Sequence, residues 1–170
     1  MGQTIADWIA GTFGGDFGKI IAIFCIALLP IVELRGAIIV AAIWGVPWPA
    51  AFAAAVLGNF LPMPFLLWFL EGIFNFMKKH NIFKKLVIKL EERAAKRKDS
   101  VTKTEFWSLA AFVGVPLPGT GGWTGSLIAS VLKMPRKKSL ASVTIGILMA
   151  GVIVTFLAYG TKNGLRFIFG

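Results

Sequence analysis

Four long apolar blocks, residues 17–48, 50–77, 106–134 and 140–160, set the terms for this chain, because only short polar or basic stretches separate them. A helix that crosses the ~30 Å hydrocarbon core of a bilayer needs about 20 residues, so each block is long enough. The chain is 56% hydrophobic with a mean hydropathy of +0.76, above the roughly 45–50% apolar content of soluble domains. Lipid is the expected solvent. The expected class is an all-α integral membrane protein whose 170 residues form a single membrane domain, 1–170.

The formal net charge of +10 does not point to nucleic acid, because the Lys and Arg residues gather in residues 78–103 and 133–138 instead of covering a folded surface. They suit an anionic membrane face. Cys25 is the single cysteine and lies in an apolar block, so packing is its expected role and neither a disulfide framework nor a cysteine metal cluster is expected. Residues 1–17 hold no basic stretch, and Ala6 stands where a myristoylation signal needs Ser or Thr, so no leader is expected.

Sliding the chain against itself by 88 residues reveals an internal repeat. Pro30 falls on Pro118, Pro47 on Pro135, Gly58 on Gly146 and Gly72 on Gly160. Each half then reads as an apolar stretch broken near its middle, a Pro-marked turn and a long helix. The first repeat covers residues 17–77 and the second 105–161.

The breaks decide the architecture, because proline lacks a backbone donor and clashes with the preceding turn. In the second half, residues 116–122 hold two prolines and three glycines: Pro116, Pro118, Gly119, Gly121 and Gly122. No continuous helix survives that composition. The arms on either side, 106–114 and 123–132, each cover about half of the hydrocarbon core, so residues 106–132 read as a re-entrant hairpin. In the first half Pro30 stands alone, and residues 19–45 fit either a kinked spanning helix or a second hairpin. Glu33 and Arg35 favour the hairpin. On a regular helix they would point about 200° apart, one of them into lipid, and a charge at the bilayer centre costs about 2.5–3.5 kcal/mol on the insertion scale.

Charge distribution gives a second argument. With both hairpins returning to the side they enter, and with residues 50–77 and 139–160 crossing, the ten Lys and Arg residues of 78–103 share a side with the basic turn 133–138. That side is expected to be cytoplasmic. One crossing per half makes the repeat inverted. Residues 78–104 between the halves place Ile82, Phe83, Leu86, Val87 and Leu90 at helical spacing among lysines, as in a basic amphipathic helix lying on an anionic leaflet of the cell membrane. A solvated linker helix is the alternative, and His80 reads as a surface residue. A chain this small is expected to work as a homodimer.

Matching Gly/Pro-broken segments in two halves of a membrane protein point to a transport site. Here they are Pro30, Glu33, Arg35 and Gly36 in the first half, and Pro116, Pro118, Gly119, Thr120, Gly121, Trp123 and Thr124 in the second. Glu33 is the candidate for proton or cation coupling, since a carboxylate inside the membrane can load and release a proton. Arg35 either binds an anionic group or partners Glu33. Thr120 and Thr124 supply hydroxyls or bond back to a helix carbonyl, and Trp123 lines a cavity or an interface. The expected arrangement sets Glu33 and Arg35 facing the Pro-Gly-Thr-Gly loop. Asn59 and Glu71 are secondary candidates. Asn59 needs a hydrogen-bond partner, with a bond between helices as the default, and Glu71 reaches the interface. Gly58 and Gly72 are expected to mark close helix packing. No hydrolase, nucleotide or metal signature is present and no cofactor is expected, since the run 119–122 lacks the Lys-Ser/Thr of a phosphate loop.

The run 33–38 (ELRGAI), the Gly58-Asn59 pair and the run 115–125 (VPLPGTGGWTG) resemble the small multidrug export protein family, over most of residues 27–151. More distantly the chain resembles the DedA, or VTT-domain, superfamily, which implies paired re-entrant hairpins and proton-linked translocation or scrambling of lipids. The resemblance also implies a proline where this chain has Ile39. Three functions stand open at this point: a small secondary exporter of small molecules, a translocase for phosphate-bearing lipids, and a scaffold without transport that binds partners through residues 78–103. None of them is enzymatic.

Overall fold

The computed structural model describes residues 15–79, 103–117 and 119–169. Every regular element among them is a helix: α1 (Gly15–Leu28), α2 (Glu33–Ile43), α3 (Trp48–Phe60), α4 (Pro62–Lys79), α5 (Lys103–Gly114), α6 (Gly122–Val131) and α7 (Arg136–Phe169). The expected basic interfacial helix, with His80, falls almost wholly outside the described residues, as does Pro118.

Both expected breaks are present. α1 stops before Pro30, which has no N–H to continue the ladder, and the Leu29 N–H turns back to the Ile26 carbonyl at 3.1 Å. α1 and α2 have 14 and 11 residues, or roughly 21 and 16 Å at ~1.5 Å per residue. α5 and α6 have 12 and 10. None of these four reaches across a ~30 Å core. In each pair the two arms pack against each other.

A closing turn ends α2, and the same turn ends α6. The Val46 N–H bonds the Ala41 carbonyl at 3.0 Å and the Gly45 N–H bonds that of Ala42 at 3.3 Å. In the second half Met134 bonds Ala129 at 3.0 Å and Lys133 bonds Ser130 at 3.1 Å. These pairs satisfy carbonyls that a helix end leaves without donors. A proline follows each turn, and its carbonyl accepts the N–H of the fourth residue of the next helix, Ala51 to Pro47 at 3.1 Å and Ser139 to Pro135 at 2.9 Å.

Two helical stretches are long and apolar enough to cross a membrane, Trp48–Leu70 with 23 residues and Arg136–Gly160 with 25. Only 39% of each apolar window is buried, and the outward side chains include Leu57, Phe65, Trp68, Phe69, Val152, Phe156 and Leu157. Apolar surface on that scale suits a lipid solvent. The first stretch is not one regular helix, as the sequence led us to expect, because Pro62 removes an N–H and separates α3 from α4 at Leu61. The second helix begins at Arg136 and runs past Gly160.

The chain divides into two compact units, Met1–Leu61 with Ile147–Gly170, and Pro62–Gly146. In the first, α1 and α2 pack against α3. The buried positions of α2 (Leu34, Ala37, Ile38, Ala41, Ala42) and of α3 (Ala51, Ala54, Ala55, Gly58, Asn59) each form one helical stripe. A β-carbon on Gly58 would collide with the Phe24 carbonyl oxygen, so glycine is what lets α1 and α3 approach. The last part of α7 joins this unit at Gly151, beside Leu34, Phe52 and Val56. The Tyr159 hydroxyl donates to the Val46 carbonyl at 2.8 Å.

In the second unit α6 packs on α4 and α5. The buried Ser126 hydroxyl donates to the Met63 sulfur at 3.3 Å, and Ser142 donates to the Phe106 carbonyl at 2.6 Å. A β-carbon on Gly146 would lie 2.5 Å from Cβ of Val113 and 2.7 Å from the Ala110 carbonyl oxygen. Gly72 differs from expectation. A β-carbon there meets nothing within 4 Å, because Gly72 lies on an exposed face of α4.

Candidate functional site

Glu33 opens α2 directly after the break, and its backbone is left-handed, with φ of 51°. That region is uncommon for a side chain with a β-carbon. Its amide still bonds the Leu29 carbonyl at 3.0 Å, and that of Gly36 bonds Val32 at 3.1 Å. On a regular helix two side chains at this spacing would point about 200° apart. Arg35 Nη1 instead lies 3.3 Å from Glu33 Oε2. The side chains are 16% and 6% exposed, so carboxylate and guanidinium meet where little water screens them. Ile31, at 94% exposure, and Leu29, at 51%, project at the tip of the same break.

The second break is built differently. Position 33 of the first half corresponds to Gly121, in extended backbone with φ of 170°, and position 35 to Trp123. No charge stands at either place. Gly119 has φ of 84° and turns the loop. The Thr120 hydroxyl lies 2.7 Å from the Val115 carbonyl and 2.9 Å from that of Leu117, which ties it to its own loop. Trp123 and Thr124 are half-buried in the first turn of α6, and Pro116 is half-buried ahead of it. Glu33 and Arg35 thus belong to the first unit, and the Pro-Gly-Thr-Gly loop to the second.

Asn59 lies in the first unit at 0% exposure. The interhelical bond expected for it is not made, since neither Oδ1 nor Nδ2 has a hydrogen-bond partner. Glu71 falls where side chains are not described. Among the described residues no three of His, Cys, Asp and Glu come together as a metal site would need. The sequence reading passed over the Ser126–Met63 pair, the Ser142 bond and the Tyr159 bond, and only a small polar residue recurring on a buried stripe would have signalled the serines.

A family model described as "Putative small multi-drug export protein" matches residues 33–153, a stretch that starts on the buried carboxylate itself. No curated protein and no solved structure matches the chain.

Proposed function

We infer, for a chain that belongs to the small multi-drug export family, a small secondary transporter that moves small molecules out across the membrane and couples their movement to a proton or cation at Glu33. The position of Glu33 carries the reading. A carboxylate at 4% exposure in a chain of this hydropathy carries a desolvation cost, about 2.5–3.5 kcal/mol on the insertion scale for a membrane-centre charge. The left-handed backbone adds roughly 1–2 kcal/mol. Two such costs on one residue, at a break between half-length helices, are the mark of a working site. Arg35 balances the carboxylate when it is ionised and is left to meet an anionic group when it is protonated.

The proposed architecture is a pair of re-entrant hairpins, α1 with α2 and α5 with α6, each followed by one crossing helix, in a chain that pairs as a homodimer. The arm lengths and the recurrence of the closing turns at an 88-residue interval support it.

Expression of the wild-type chain is expected to raise cellular tolerance to a panel of lipophilic toxic compounds. Glu33→Gln, at equal membrane abundance, is expected to return tolerance to the level of empty cells. A Glu33→Gln protein that protects as well as wild type removes Glu33 from the mechanism.

A further inference from the structure

Asn59 is fully enclosed, yet both ends of its carboxamide lack a partner. A buried amide is costly unless it is hydrogen-bonded, and an enclosed space with polar walls holds water where an apolar one stays dry. The Gly58 carbonyl, one residue earlier on α3, lacks its own helical donor. The residue four positions on, which would complete its helical bond, is Pro62, and proline has no N–H to give.

The packing of the first unit brings this point to the level of the α1–α2 break. Gly58 rests against the Phe24 carbonyl, and Ala27 Cβ lies 3.0 Å from where its own β-carbon would be. Two residues past Ala27, the Leu29 carbonyl takes the Glu33 N–H at 3.0 Å. Leu34, next to Glu33, sits by Gly151 beside Val56, less than one turn before Asn59 on α3. Glu33, at the start of α2, and Asn59, near the end of α3, therefore both lie at the end of the first unit where α1 breaks.

We propose that an internal water sits between Asn59 and Glu33, held by the carboxamide and the Gly58 carbonyl. The water accepts a hydrogen bond from Asn59 Nδ2, donates one to Asn59 Oδ1 or to the Gly58 carbonyl, and donates its second to the Glu33 carboxylate. Such a set supplies the three or so bonds typical of buried water. A metal cation fits worse, because the Nδ2 hydrogens repel it and because one amide oxygen and one carbonyl fall short of a coordination shell. The proposal rests on the reading of Glu33 as the coupling residue and makes Asn59 a positioning residue, one that sets how the carboxylate is solvated.

Infrared difference spectroscopy on the purified full chain in lipid tests it, with pH steps as the trigger. Glu33→Gln assigns the carboxyl band of Glu33, and exchange into oxygen-18 water assigns the bands of bound water. The wild type is expected to show an isotope-sensitive bound-water band. Asn59→Leu, which is close in size and has no polar atom, is expected to lose that band and to shift the Glu33 carboxyl band, while Asn59→Ser keeps both near their wild-type places. Should Asn59→Leu fail to fold, Asn59→Val, which is apolar and leaves little added space, serves the same purpose. A wild type without the water band, or an Asn59→Leu protein that keeps it, overturns the proposal. Loss of the water band with an unmoved Glu33 band overturns the link between the two residues. If Glu33→Gln removes no carboxyl band, the coupling role of Glu33 fails by itself, and the water band still judges the Asn59 site.

Discussion

Gly45 and Lys133 stand at the same place in two turns 88 residues apart, both in left-handed backbone, with φ of 72° and 53°. The bonds around them correspond one for one. Gly45 answers to Lys133, Val46 to Met134, and the acceptors Ala42 and Ala41 to Ser130 and Ala129. Glycine enters this region without steric penalty, whereas a side chain with a β-carbon enters at a cost of roughly 1–2 kcal/mol. Lys133→Gly is therefore expected to stabilise the protein, by about 0.5–1 kcal/mol once the greater freedom of an unfolded glycine is set against the relief. Gly45→Lys is expected to destabilise it by a similar amount. Thermal unfolding of the purified protein in one detergent compares the two, and a stabilising Gly45→Lys would rule out the backbone argument.

The same pair of turns sets a test of topology. In a Cys25→Ala background, single cysteines at Trp48 and Lys137 mark the starts of the two crossing helices, and one at Lys85 marks the basic stretch between the halves. With one full crossing per half, a membrane-impermeant thiol reagent on intact cells is expected to label position 48 and to spare 85 and 137 until the cells are opened. Labelling of 85 and 137 from opposite sides would mean that residues 106–132 cross the membrane, and the paired hairpins would be withdrawn.

The left-handed residue at the first break yields a sharper comparison, between two substitutions that both remove the carboxylate. Glu33→Ala and Glu33→Gly each remove the carboxylate that Arg35 meets, a loss on the order of 3–5 kcal/mol for a well-buried pair and less here, where Arg35 keeps 16% exposure. Only glycine also releases the backbone at φ of 51°. Glu33→Gly is therefore expected to be the more stable of the two by about 1 kcal/mol, although in an ordinary helix glycine is the worse residue by about that much. An alanine variant as stable as the glycine variant would place Glu33 in relaxed backbone.

What could be read from the sequence follows from which groups act locally. Pro30, Pro116, Pro47 and Pro135 forbid hydrogen bonds in their own vicinity, so the breaks and turns were legible before any packing was known. Pro62 was not taken up, because it lies inside an apolar run and average hydropathy over a window does not register a missing N–H. The pairing of Glu33 with Arg35 was one of two readings for the arginine, and the left-handed residue at the helix start leaves no trace in residue spacing. Asn59 shows the limit most plainly. Its depth was legible, but whether another helix offers a donor or acceptor depends on neighbours that only the fold supplies.

Glycines that look alike in the repeat part company in the fold, and this gives the last prediction. Gly58 and Gly146 are equivalent by the 88-residue shift, as are Gly72 and Gly160. A β-carbon at Gly58 would meet the Phe24 carbonyl, and one at Gly146 would lie 2.7 Å from the Ala110 carbonyl. Backbone cannot swing aside as the end of a side chain does, so Gly58→Ala and Gly146→Ala must push whole helices apart, at about 1–3 kcal/mol each. At Gly72 and Gly160 nothing lies within 4 Å, and alanine is the better helix former by about 0.8–1 kcal/mol. Gly72→Ala and Gly160→Ala are thus expected to be neutral or mildly stabilising in thermal melts, while their partners fall below wild type. Equal losses at all four positions would mean that Gly72 and Gly160 meet a neighbour in the membrane, and a second copy of the chain would then be the first surface to test by crosslinking at those two positions.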